Sequence, residues 1–120
     1  MRKALIVEDD QVLSFLLSVQ LELLGYGVAG SVVSGEEAIK AMKELKPDFL
    51  LVDINLKGNL DGIETMELIK TVSGVPFIYL TANSDLTTKS RALKTEPHGY
   101  LIKPIGLSAL RNTLSLALAV

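Results

Sequence analysis

Asp53 follows an apolar run, residues 49–52, and so stands where a strand would end and a side chain would meet solvent. A carboxylate in that position can attack phosphorus and form a mixed anhydride, an aspartyl phosphate. Three other apolar runs end in a similar way. Residues 4–7 stop at Glu8, Asp9 and Asp10, residues 77–80 at Thr81 and Ala82, and residues 100–102 at Lys103 and Pro104. If these strands lie parallel, their carboxyl ends share one edge, which is where open α/β sheets hold their ligands. Acids, a hydroxyl and a lysine would then meet in one small pocket suited to phosphoryl chemistry.

Each residue type has a reason to be there. Glu8 and Asp9 beside Asp53 would crowd like charges, which opposes ionising all three unless a cation is shared. Mg²⁺ meets that need, because it takes oxygen ligands, keeps several waters and bridges carboxylate to phosphoryl oxygen. Asn55 can add its backbone carbonyl. Thr81 and Lys103 offer a hydroxyl donor and an ammonium for charge that spreads over equatorial phosphoryl oxygens. Ala82 is small and leaves the approach to Asp53 open. The Lys103-Pro104 bond accepts the cis form at low cost, which would aim the lysine inward. Tyr100 reads either as ordinary half-buried packing or as a ring that turns inward when Thr81 moves. Plainer roles compete: Asp53 as a loop-capping acid, and residues 8–10 as an N-cap with first-turn acids, a part that suits Asp10 in particular. His98, the only histidine, sits in a Pro-His-Gly turn and reads as a solvent residue.

The elements that must position these groups alternate strand and helix. Residues 12–24 have helical spacing, with Gln11, Ser14, Ser18 and Glu22 as a polar stripe. Gly25 and Gly27 lead to a short strand at 28–33. Ser34 reads as an N-cap, with Glu36 and Glu37 in the first turn of a helix reaching Leu45, and Lys46-Pro47-Asp48 breaks it. A glycine-containing loop at 56–62 precedes a helix over 63–72. Asn83, Ser84 and Asp85 cap a fourth helix to Lys94, and the last helix starts near Leu107 with Leu110, Leu114 and Leu118 on one side. Five strands joined by helices of this length require right-handed crossovers and a parallel sheet covered on both faces.

Composition fits one domain over 1–120, with no internal repeat or linker. The chain is 48% hydrophobic and 22% charged, enough apolar material for a core. A net charge of −2 argues against a nucleic-acid surface. Without cysteine, neither disulfides nor a zinc-thiolate site can form. No apolar stretch reaches the roughly 20 residues of a membrane span, and the first residues lack a signal-peptide pattern. The default expectation is a cytoplasmic protein that does not enter membranes.

Over its whole length the chain resembles the receiver domain of two-component response regulators, including the single-domain chemotaxis type. The resemblance rests on Glu8-Asp9-Asp10, Asp53-Ile-Asn55, Asp61-Gly62, Thr81-Ala82 and Tyr100-Leu-Ile-Lys103-Pro104, each in order. It implies a flavodoxin-like, doubly wound, five-stranded parallel sheet, order 2-1-3-4-5, with five helices. It further implies that Asp53 accepts phosphoryl from the phosphohistidine of a histidine kinase or phosphotransfer protein. Glu8, Asp9, Asp53 and the Asn55 carbonyl would hold Mg²⁺, Asp9 most directly. Thr81 and Lys103 would contact the phosphoryl oxygens, and Tyr100 would be the switch aromatic. Such a domain catalyses only its own phosphotransfer and dephosphorylation. Its switching surface, the fourth helix, fifth strand and fifth helix, would bind a partner or a second copy. Two departures stand out: the loop at 56–62 lacks the frequent Met-Pro pair and is one residue longer, and the fourth helix is poor in apolar residues. Asn55 and Asn83 would flank the pocket and tune access of water.

Two other uses compete. A degenerate receiver could serve only for docking, although such a module has no need for clustered acids. A Mg²⁺-dependent phosphatase of the haloacid dehalogenase kind also forms an aspartyl phosphate. That class places nucleophile and acid two residues apart after the first strand, where this chain has Glu8-Asp9, and position 55 is Asn.

Overall fold

In the computed structural model, residues 1–82 and 85–119 are described; Asn83, with its expected capping and tuning roles, lies outside them, as do Ser84 and Val120. Strands and helices alternate: β1 (Lys3–Val7), α1 (Gln11–Leu23), β2 (Gly27–Val32), α2 (Gly35–Leu45), β3 (Phe49–Asp53), α3 (Gly62–Ile69), β4 (Phe77–Thr81), α4 (Leu86–Lys94), β5 (Gly99–Ile102) and α5 (Leu107–Ala117). The strands form one parallel sheet in the order β2-β1-β3-β4-β5, the flavodoxin-like arrangement the sequence implied.

The apolar runs are continuous because the central strands are buried on both faces. Leu5, Val7, Leu50, Val52, Phe77 and Tyr79 point to one side, where α2, α3 and α4 pack through Ala38, Met66 and Ala92. Ala4, Ile6, Phe49, Leu51, Ile78 and Leu80 point to the other, against Leu17 and Leu21 of α1 and Leu110 and Leu114 of α5. Burial of these side chains, each worth about 1.5–3 kcal/mol, is what holds the sheet edge in place.

Local signals set the helix ends. Asp10 caps α1 by accepting from the Val12 and Leu13 amides, and Ser34 caps α2 through Glu37. Lys46 takes a left-handed conformation (φ 45°) that ends α2 before Pro47. Asp61 and Glu64 form a reciprocal capping box at α3. Asp85 caps α4 through the Thr88 amide.

One expectation needs correction. The third helix ends at Ile69 rather than Val72, and Val72 is largely exposed. The polar stripe of α1 is split by burial, with Gln11 and Glu22 exposed. Ser14 is buried, its hydroxyl 2.5 Å from that of Ser31 on β2, while Val12, Phe15 and Leu23 face solvent. Helical spacing showed that the polar residues share a face, not how deeply each one sits.

Candidate functional site

The four strand ends bring the expected residues together. Glu8 follows β1, Asp53 ends β3, Thr81 ends β4, and Lys103 follows β5. One carboxylate oxygen each from Glu8, Asp9 and Asp53 lies within 4.8 Å of the others. The Lys103 ammonium stands 2.9 Å from Glu8 Oε1 and 3.4 Å from Asp53 Oδ2. The Lys103-Pro104 bond is cis.

Backbone amides fix the acids. Asn55 N–H donates to Asp53 Oδ1 (3.1 Å), Asp10 N–H to Glu8 Oε2 (3.1 Å), and Lys57 N–H to Asp9 Oδ2 (3.4 Å). This last contact ties the loop after β3 to the loop after β1. The Asn55 amide nitrogen lies 3.5 Å from the Thr81 hydroxyl. Asp10 caps α1 and is exposed, the lesser role its position suggested.

Burial separates the acids. Glu8 is fully buried and Asp53 nearly so, whereas Asp9 is partly open to solvent. Burial pushes the Glu8 carboxyl up to about 7; Lys103 and the Asp10 amide oppose this, and the Asp53 charge adds to it. Burial pulls the Lys103 ammonium down, but Glu8 and Asp53 outweigh it and leave the group above its ordinary value. The lysine therefore remains charged between two acids. Three hard oxygen donors around one point suit a small divalent cation such as Mg²⁺, with room on the Asp9 side for water.

Thr81 is buried at the end of β4. The Tyr100 hydroxyl is already enclosed beside it; burial raises its pKa and the Thr81 hydroxyl opposes that. Lys89 of α4 lies 5.7 Å from the centre of the Tyr100 ring. His98 is exposed, with its ring edge-on to Phe77, away from the strand-end cluster.

Sequence reasoning missed two supports. Gly62 donates to the Ile54 carbonyl, and a Cβ on it would come 2.1 Å from the Asp53 carbonyl oxygen. Only glycine lets α3 start this close to the end of β3. Arg91 of α4 pairs with Asp61 at 3.1 Å, joining α4 to the N-cap of α3. The Asp61-Gly62 pair was visible in the sequence; its reason was not.

Comparison with known proteins agrees with this fold. The family model for the response regulator receiver domain matches residues 4–115. The DNA-binding response regulator MtrA of Mycolicibacterium paratuberculosis is 33% identical over 103 residues, covering 86% of this chain and 45% of its own length. The transcriptional regulatory protein ZraR of Klebsiella oxytoca is 39% identical over 116 residues, 96% of this chain and 26% of its own. The chain thus spans less than half the length of these curated relatives. Among solved structures, the signal receiver domain of a modulated diguanylate cyclase from Desulfovibrio desulfuricans is 40% identical with a TM-score of 0.90, over 98% of this chain and 93% of that one. The receiver domain of a sensor histidine kinase from Pseudomonas aeruginosa is 29% identical with a TM-score of 0.87, over 99% and 98%, and has a magnesium ion coordinated in its active site cleft.

Proposed function

The chain belongs to the response regulator receiver domain family of two-component signalling, and we propose that it is a phosphoacceptor switch with Asp53 as the acceptor. The observation that carries this reading is the cluster of Glu8, Asp9 and Asp53 within 4.8 Å, with Lys103 against Glu8 and Asp53. The unit is residues 1–120 acting as one receiver domain.

Glu8, Asp9, Asp53 and the Asn55 carbonyl are the groups that would hold Mg²⁺. When bound, the ion offsets the negative charge shared by the acids and the incoming phosphoryl oxygens. The remaining work falls to the chain itself. An Asp53 oxygen attacks the phosphorus of a phosphohistidine on a histidine kinase or phosphotransfer protein. The O–P bond forms, the P–N bond breaks, and its electron pair returns to the imidazole nitrogen. Lys103 is held close enough to Asp53 to neutralise charge on the transferred oxygens, and the Thr81 hydroxyl supplies a further donor. Hydrolysis of the same anhydride resets the domain, so the chemistry is confined to its own phosphoryl group. No helix among the described residues is long and apolar enough to cross a membrane.

The switch would run from Thr81 through Tyr100, whose ring meets Lys89 of α4. The output surface proposed from this path is α4, β5 and α5, the surface through which a partner or second copy could bind. DNA contact, if the natural protein makes any, is assigned to parts other than this domain.

The test is mass spectrometry of the intact chain and its peptides after incubation with acetyl phosphate. We expect one phosphoryl group on Asp53, absent without Mg²⁺ and absent in Asp53→Asn. Labelling that persists in Asp53→Asn at an unchanged rate would remove Asp53 from this role.

A further inference from the structure

Gln20 is the one polar residue of α1 outside the stripe of Gln11, Ser14, Ser18 and Glu22. It stands instead in the inward row, between Leu17 and Leu24 in steps of three and four residues, where a helix ordinarily carries an apolar side chain. Only 8% of it is exposed, and its neighbours Leu17 and Leu21 are fully buried. Its Nε2 donates to the Ile105 carbonyl at 3.0 Å, a contact between residues 85 positions apart. Its Oε1 is buried and has no hydrogen-bond partner among the described residues. A half-satisfied buried amide costs free energy that a methionine in its place would not. Packing alone therefore does not account for glutamine at this position; the bond to Ile105 does.

Ile105 follows Lys103 by two residues, in the segment that links β5 to α5. That segment has few other backbone ties. The Lys103 N–H donates to the Thr81 carbonyl (2.8 Å) at its start, and the Leu110 N–H to the Gly106 carbonyl (3.0 Å) at its end. Pro104 has no N–H to donate, and the N-cap of α5, Gly106, makes no side-chain capping bond. Among the described residues, Gln20 supplies the only hydrogen bond to the backbone of Pro104 and Ile105. We propose that Gln20 is a positioning residue for Lys103. It pins the far side of this segment while the Thr81 carbonyl pins the near side, so the root of the lysine stays fixed. This rests on the phosphoacceptor reading and deepens it. Charge alone does not aim Lys103, whose ammonium is 2.9 Å from Glu8 Oε1 and 3.4 Å from Asp53 Oδ2. In phosphotransfer the ammonium must lean from Glu8 toward the oxygens arriving on Asp53, and a fixed root confines that movement to the flexible stem. Gln20 itself touches none of the reacting groups. Its effect is on placement, where an error of about 1 Å is enough to slow a reaction.

The test is Gln20→Met, which keeps the length of the side chain but cannot donate. Amide hydrogen exchange followed by NMR needs neither Mg²⁺ nor a phosphoryl donor. We expect the Lys103 amide to exchange at least about tenfold faster in the variant, with the other amides of β5 unchanged. The denaturant midpoint should stay the same, because the lost bond and the removed orphan oxygen offset each other. Labelling of Asp53 by acetyl phosphate with Mg²⁺ should slow about three- to tenfold at saturating donor, with the half-saturating concentrations of donor and Mg²⁺ unchanged. A residue that served only packing would lower the midpoint and leave the saturated rate alone. That pattern overturns the proposal, as does an unchanged exchange rate at Lys103. A parent chain that takes no label at Asp53, from acetyl phosphate or from a kinase phosphohistidine, removes the phosphoacceptor reading and the proposal with it. A labelled parent with either negative pattern in the variant removes the proposal alone.

Discussion

Lys103 and Gly62 show two ways a single residue shapes the acid cluster. Lys103 acts by charge, standing between a fully buried glutamate and the candidate acceptor. Gly62 acts by what it lacks. Gly62→Ala would drive a methyl group into the Asp53 carbonyl, and backbone cannot rotate away as a flexible side chain can. We expect a loss of about 1–3 kcal/mol, the usual cost of overpacking, read from the denaturant midpoint, together with slower labelling of Asp53 by acetyl phosphate. A full-rate, fully stable variant would show that the backbone yields more than this contact allows. At this scale the candidate residues were legible because chemistry selects residue types: an acceptor acid, paired acids, a hydroxyl and a lysine at strand ends. Gly62 was legible only as half of an Asp-Gly pair, since the carbonyl it accommodates is brought near by the crossover from β3 to α3.

The fourth helix is anchored at few points. Ala92 is its only buried residue, and its C-terminal end is held largely by polar contacts. Thr95, its C-cap, shares a 2.6 Å hydrogen bond with the buried Tyr79 hydroxyl and donates to the Ala92 carbonyl, while Lys70 donates to the Thr95 carbonyl. Burial pushes the Tyr79 phenol up to about 12, with Thr95 opposing. Its folded value lies above its unfolded value near 10. The stability this difference supplies is therefore complete below about pH 10 and lost as pH rises through about 12. Ultraviolet titration should show a tyrosine ionising near pH 12 that is missing in Tyr79→Phe, and that variant should lose about 1 kcal/mol at neutral pH. The sparse apolar content of α4 was readable from Thr87 to Arg91. The Tyr79 clasp was not, because residues in the middle of β4 look alike until a partner is placed above one of them. The burial of Ser14 on α1 was hidden for a related reason: Ser31, distant in sequence, makes that flank an inner one.

For the molecule as a whole, ligand binding and stability are linked through the sheet edge. Mg²⁺ bound only by the folded chain, at ten times its dissociation constant, adds about 1.4 kcal/mol, or roughly 4–6 °C in Tm for a chain of this size. Calorimetry should show that rise, its reversal by a chelator, and a smaller rise in Asp53→Asn; equal rises in both would place the ion elsewhere. Topology was fully legible, since alternating elements and crossover handedness leave few ways to build a parallel sheet. Helix ends and outward faces were less so, being set by neighbours distant in sequence. One further consequence follows from where the aromatic residues stand. The chain has no tryptophan and three tyrosines. Tyr26 packs edge-on to Phe49, and Tyr79 is locked against Thr95; only Tyr100 borders the reactive pocket. If Tyr100 turns with Thr81 as proposed, the domain carries its own optical label: its ultraviolet emission would have two steady contributors and one that follows the phosphoryl state.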